Sequence, residues 1–252
     1  MSRLRFTYLF LFLASLAFES SAQNEAITEP QLFYRKQSQF GFNLNSAGLG
    51  GINFRQGWHK TGRIKDLLDI EFCRVRDPKE TRIYGASDNP QQYTYGRLNM
   101  AFFLRTGYGR TINLTERPYK NAIGLNFNYA VGVTTALLKP IYLDILYIYS
   151  DKVGAYVKPE RYDPNNEKHR DQNSIYGNSS FFEGITETVA RFGGFGKASL
   201  SVEWGQFPDE FHTLEAGCTL DYFPAPLPLM ANLPRRDIFF ILFIGYSFGF
   251  NK

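Results

Sequence analysis

The sequence predicts an all-β protein: an antiparallel transmembrane β-barrel of about eight strands, with ten possible, preceded by a cleaved signal peptide. Three observations predict it. Long segments alternate between large apolar residues and small or polar ones, the two-residue period of a strand with two different faces. Beyond Ala22 no run reaches the ~18 apolar residues of a transmembrane helix. Aromatics make up 17% of the 252 residues, with 24 Phe and 16 Tyr, an excess that needs an apolar surface to sit in or against.

Residues 1–22 read as the signal. Arg3 and Arg5 give a positive start, Phe6 to Phe18 an apolar stretch, and Ser20, Ser21 and Ala22 the small residues of a cleavage site. The apolar part is too short to span a bilayer, which takes ~20 residues. Residues 23–38 follow as a periplasmic N-terminal segment, and 39–252 form the barrel.

The clearest strand lies between Ala122 and Leu138. Ile123, Leu125, Phe127, Tyr129, Val131 and Val133 share one parity, while Gly124, Asn126, Asn128, Ala130 and Gly132 take the other. The same pattern marks eight segments: 39–57, 64–76, 97–113, 122–138, 141–150, 183–205, 211–223 and 237–250. The first contains Gly48, Gly50 and Gly51 and could be two strands around a turn, which leaves ten open. A soluble β-sandwich also alternates, but its strands usually run ~5–6 residues, and its aromatics have no reason to gather at strand ends as membrane-interface girdles do. With eight strands and both ends in the periplasm, the periplasmic links are 77–96, Lys139-Pro140 and 206–210. The outer loops are then 58–63, 114–121, 151–182 and 224–236.

Parity directs Asp69, Glu71, Arg105, Asp144, Arg191, Lys197, Glu203, Glu215 and Asp221 into the lumen. An eight-stranded interior is just wide enough for side chains to fill. Opposite charges there are expected to pair into a plug, because isolated buried charge is costly. Glu203, Glu215 and Asp221 could instead approach one another as catalytic acids. Ser201 and His212 are a conceivable nucleophile and base on neighbouring strands. His59, His169 and His212 match no metal spacing, so neither metal nor cofactor is expected. Cys73 falls on the inward parity and Cys218 on the outward one, so the two cannot bond. The formal charge of +4 comes without a dense basic run, which argues against nucleic acid.

Two loop elements stand out. Segment 151–182 mixes Lys152, Lys158, Arg161, Lys168, His169 and Arg170 with Glu160, Asp163, Glu167 and Asp171. Tyr156, Tyr162 and Tyr176 lie among them, in a pattern suited to lipopolysaccharide or a protein neighbour. Segment 224–230 carries Pro224, Pro226, Leu227, Pro228, Leu229 and Met230. It is rigid, and proline cannot donate to a central ladder. It is either a lid on the barrel mouth or a docking rim for a partner.

The chain resembles small, uncharacterised outer-membrane barrel proteins of Bacteroidota-type bacteria. The resemblance rests on Ser21-Ala22-Gln23 at the signal's end and on the aromatic-ended final strand Phe239 to Phe248, with Asn251 and Lys252 after Phe250. Arg97 to Arg110 and Glu203 to Met230 also look like that group. It implies an outer-membrane location and a barrel fold, not an activity. The expected function is a non-enzymatic accessory or interaction subunit of a cell-envelope complex. Its expected partners are outer-membrane lipids, lipopolysaccharide and another outer-membrane protein or lipoprotein. A narrow channel for ions or small solutes is the alternative, and a lipid-modifying enzyme the second.

Overall fold

The computed structural model describes residues 36–48, 50–61, 63–85, 91–115, 123–148, 154–205, 210–231 and 233–251. The signal segment, residues 23–35 and Lys152 lie outside the described residues. In chain order the elements are β1 (Lys36–Asn45), β2 (Gly50–His59), β3 (Ile64–Val75), β4 (Arg82–Tyr84), β5 (Gln92–Thr94), β6 (Asn99–Asn113) and β7 (Gly124–Pro140). Then come β8 (Tyr142–Ile148), β9 (Ala155–Arg161), the single-turn helix α1 (Glu167–Arg170), β10 (Ile175–Asn178), β11 (Val189–Trp204), β12 (Glu210–Leu227) and β13 (Arg236–Asn251).

Eight of the strands close into a barrel in the order β1-β13-β12-β11-β7-β6-β3-β2, every neighbouring pair antiparallel. Five of the eight run 15 residues or more and fit the expectation of long strands. The expected count of eight holds, but two of its members change. Segment 39–57 is two strands, turned at 46–49, with Gly50 at φ 105° where a β-carbon is disfavoured. Segment 141–150 is not in the wall at all. Its strand β8 pairs with β9 and β10 in a separate three-stranded sheet.

That exchange resets which end each link occupies. The chain enters at Lys36 and leaves at Asn251 on one end, here the terminal end, together with links 60–63, 114–123 and 205–209. The opposite, loop end carries 46–49, 76–98, 141–188 and 228–235. Links 77–96 and 139–140 therefore move to the loop end, and 58–63 and 114–121 to the terminal end. The length of 77–96, awkward for a periplasmic turn, is ordinary for a loop on the outer side of such a barrel.

Alternation along each wall strand sends apolar side chains outward, and inward it sends small and polar ones together with the large apolar groups that fill the loop end of the lumen. On β13, Ile238, Phe240, Leu242, Ile244, Tyr246, Phe248 and Phe250 are all exposed, while Phe239, Ile241, Phe243 and Ser247 are buried. At one level of the lumen a large inward ring is accommodated by bare wall. Phe195 lies against Gly107 and Gly132, where added β-carbons would come 2.6 Å and 2.9 Å from its ring. Replacing Gly107 by Val should therefore overpack the wall and cost about 1–3 kcal/mol in reversible unfolding from lipid vesicles, while Gly196→Ala, which meets nothing, should be neutral.

The loop end builds a head with a core of its own. Ile141, Leu143 and Ile145 from the β8 strand and its entry pack with Tyr93, Tyr162 and Ile175, so segments 77–96 and 141–178 share one apolar cluster. The head is tied to the barrel mouth by backbone bonds. Leu98 donates to the carbonyl of Leu229 at 2.9 Å, Ile141 to Leu98 at 3.0 Å, and Ala231 to Gly96 at 2.8 Å.

Candidate functional site

The lumen holds an alternating chain of acid and base that starts and ends on β12. Arg55 Nη2 donates to Glu215 at 3.0 Å, and its Nε reaches Asp69 at 3.4 Å. Lys197 Nζ bridges Asp69 at 3.0 Å and Glu71 at 2.9 Å. Arg105 Nη1 donates to Glu71 at 2.7 Å, while its Nε and Nη2 clasp both oxygens of Asp221 at 2.9 Å and 2.7 Å. The hydroxyls of Ser199 and Thr134 complete Glu215 and Asp221. Four of the charged links join strands that are not neighbours in the wall: Arg55–Glu215 from β2 to β12, Lys197 to both Asp69 and Glu71 from β11 to β3, and Arg105–Asp221 from β6 to β12. They cross the lumen as struts. All seven charged groups are buried, and each has an opposite partner, as burial demands.

Below this layer, toward the terminal end, Lys65 donates to Gln37 at 3.0 Å and lies 3.9 Å from Glu203. Asn126 donates to Glu203 at 3.2 Å, Asn128 to Ser201 at 2.9 Å, and Thr111 to Asn128 at 2.7 Å. These groups line a polar recess of about 340 Å³, counted with the solvent space it opens to. Above the charged layer the lumen turns apolar. Phe103 packs at 5.1 Å on Phe223 and 5.3 Å on Phe239, with Val75, Leu138 and Leu227 around them.

Of the nine residues expected in the lumen, seven are there: Asp69, Glu71, Arg105, Lys197, Glu203, Glu215 and Asp221. Asp144 is not. It lies half-buried in β8, on the opposite parity to Leu143 and Ile145, which face the head core. Arg191 has the inward parity but is exposed, because β11 pairs with β12 only from Gly194 onward and Arg191 stands above that ladder. Arg55 and Lys65 were missed, although both share parity with their inward neighbours Asn53 and Leu67.

The catalytic readings do not assemble. Glu203, Glu215 and Asp221 each face a different cation instead of one another. Ser201 is buried against Asn128, whereas His212 points outward, where Tyr246 Oη lies 2.8 Å from its Nδ1. Among the described residues no group of three His, Cys, Asp or Glu could hold a metal ion. Cys73 is inward and Cys218 outward, both as free thiols.

The proline segment is mostly lid. Leu227 and Leu229 are buried in the apolar plug and Met230 packs against it, so these three do not offer a docking surface. Pro224 and Pro226 stay exposed in the stretch where the β12–β13 register breaks between Tyr222 and Leu227, and Pro228, just after it, is half-exposed. Asn99 Nδ2 fixes the segment by donating to the Pro228 carbonyl at 2.7 Å.

In the head, the described part of segment 151–182, from Gly154 onward, is folded around Glu160. Its carboxylate accepts from Lys158 at 3.0 Å, Tyr147 at 2.9 Å and His169 at 3.2 Å. His169 Nδ1 accepts from the Asp163 N–H at 2.9 Å, which leaves its ring proton on Nε2 for Glu160. Tyr162 is buried, while Tyr156 stacks at 5.4 Å on Tyr147. Burial raises the Glu160 pKa, but the three hydrogen bonds outweigh it and hold the carboxyl below its usual range. A depressed carboxyl stabilises the fold above its unfolded value near ~4.3 and loses that contribution as pH falls through its folded value. The protection factors of the β8 and β9 amides, taken against intrinsic exchange at each pH, should therefore fall as the pH drops below about 4. Glu160→Gln should show low protection already at neutral pH and little further change.

Outside the wall, the described surface is an apolar belt. Trp58, Tyr108, Tyr129, Trp204 and Tyr246 ring it toward the terminal end. On β3 the belt is bracketed by charge, with Asp66 paired to Arg110 at 3.1 Å below and Arg74 above. Those eight residue steps, tilted as in a barrel, span roughly 20 Å, close to the ~25 Å apolar band of outer-membrane barrels.

No known family model and no curated protein matches the chain. Several solved structures resemble it in fold. Neisserial surface protein A aligns over 87% of this chain and 97% of its own, at 8% identity and a TM-score of 0.39. The N-terminal β-barrel domain of Pseudomonas aeruginosa OprF gives 87% and 98%, at 10% identity and 0.37. Ail, the attachment invasion locus protein of Yersinia pestis, solved with the heparin analogue sucrose octasulfate, gives 87% and 99%, at 9% identity and 0.36. The barrel itself rests on the closed ladder of this chain's own strands.

Proposed function

We propose that this chain is a non-enzymatic outer-membrane β-barrel that serves as an accessory or interaction subunit of a cell-envelope complex. The observation that carries this reading is the contrast between a filled lumen and a folded head. Struts of buried charge and an aromatic plug occupy the interior, as expected of an eight-stranded wall with little room to spare. The loop end meanwhile spends two long segments on a packed core, and so presents a shaped surface beyond the membrane. The exposed belt supports an outer-membrane location, with both chain ends in the periplasm and the head outside. The same filling counts against the channel alternative. The dispersal of Glu203, Glu215, Asp221, Ser201 and His212 counts against the lipid-modifying one.

The test is purification of the tagged protein from outer membranes in mild detergent. Stoichiometric recovery with another barrel or a lipoprotein is expected, and substitutions confined to exposed head residues such as Tyr84 and Tyr156 should weaken it. Recovery as a solitary chain would count against the subunit role.

A further inference from the structure

Arg74 is outward-facing and sits at the upper edge of the apolar belt, where headgroups begin. Its register partner across the β3–β6 ladder is Phe102. Phe102 stacks at 5.7 Å on Phe72 below and meets Phe181 of the head at 6.3 Å, so an exposed aromatic face lies directly beneath the arginine. Phe72 and Phe181 are both exposed, and Phe182 beside them is 76% exposed.

Arg74 is not alone. Arg76, Arg82 and Arg97 gather around it, beside two acids: Glu80, which pairs with Arg97 at 3.0 Å, and Asp77, which lies 3.8 Å from Arg236. Arg97 is only 6% exposed. Burial, with Glu80 opposing and the other three arginines adding to it, lowers its pKa to about 10. The Nε atoms of Arg74, Arg76 and Arg97 are buried and have no hydrogen-bond partner among the described residues. Buried guanidinium groups are normally paired with anions. Four arginines, three of them with an orphaned Nε, stand beside two carboxylates, one of which faces Arg236, so the site is short of negative charge.

We propose that the outer wall where β3 meets β6 binds a phosphorylated lipid of the outer leaflet. Arg74, Arg76 and Arg82 receive the phosphate, with buried Arg97 adding its charge from behind, and Phe72, Phe102 and Phe181 receive the acyl chains. Arginine suits this role because its planar fork matches phosphate oxygens in pairs. A lipid is favoured over a free anion because the aromatic face is continuous with the belt and points the same way as Arg74. The proposal rests on the outer-membrane reading and places the lipid contact on the outer wall, where segment 151–182 contributes only Phe181.

The test uses the full barrel, refolded in dodecyl maltoside, with three probes: diphosphorylated lipid A, the same lipid after phosphatase treatment, and inorganic phosphate. Binding of the intact lipid should exceed that of the dephosphorylated form by about tenfold or more, the effect of at least one charge-assisted contact. The Arg74→Gln/Arg82→Gln variant, which leaves buried Arg97 in place, should lose most of that difference. Phe102→Ser should weaken lipid A without affecting any binding of inorganic phosphate. Equal binding of the two lipids, or a double variant that binds like the parent, would overturn the proposal. So would inorganic phosphate bound as tightly as lipid A. Migration of unboiled samples on denaturing gels reports the folded barrel separately, so a failed site and a failed barrel reading are distinguishable.

Discussion

Replacing Arg105 by Met should destabilise the barrel by about 3–5 kcal/mol, the cost of leaving a buried ionic network without its central cation. Arg105 is the group on which Glu71 and Asp221 converge, and it is among the largest fully buried side chains. After the substitution Glu71 keeps Lys197, but Asp221 keeps only the Thr134 hydroxyl. The loss should therefore concentrate on Asp221. Arg105→Met/Asp221→Leu should recover much of the stability, because removing both partners of a buried pair is often close to neutral. Urea-induced unfolding from lipid vesicles, followed by tryptophan emission, measures both. A double variant as unstable as the single one would show that Arg105 acts through packing, for instance on the Phe103 ring 5.7 Å away, and not through charge.

The second large effect belongs to Phe103. Its ring is fully buried between Phe223 and Phe239 in the plug above the charged layer. Phe103→Ala should cost about 3–5 kcal/mol, since the surrounding rings are anchored on β12 and β13 and can collapse only partly. Phe103→Leu should cost well under half of that. Neither change should open a conduit, because the Arg105 and Lys197 struts remain beneath.

Much of this architecture was legible in the sequence because alternation reports it directly. The β7 pattern from Leu125 to Val133 maps onto the wall residue for residue. The misassigned strand shows the limit of that signal. The turn at 46–49 preserves parity, so Asn43 before it and Asn53 and Arg55 after it all face inward on odd numbers. Periodicity therefore ran through the turn unbroken, and only the glycines marked it. Strand β8 misled for the opposite reason. Ile141, Leu143 and Ile145 alternate because they face a core, but parity does not say whether that core is the lumen or the head. Arg191 adds a third case, since alternation gives direction and not height along the axis. The cross-lumen pairing of Arg105 with Asp221 and of Lys197 with Asp69 depends on strand order, which no local pattern encodes. The arginine cluster of the proposed lipid site was hidden similarly, because Arg74, Arg82 and Arg97 come together only once link 76–98 is placed at the loop end.

The central claim is that this barrel works through its surfaces and not through its lumen, and single-channel recording in planar bilayers tests it most directly. The parent protein, inserted at amounts verified by recovery from the membrane, should give no resolved current steps. Stable, discrete conductance that is altered by Arg105→Met would contradict the account and make the lumen the functional site.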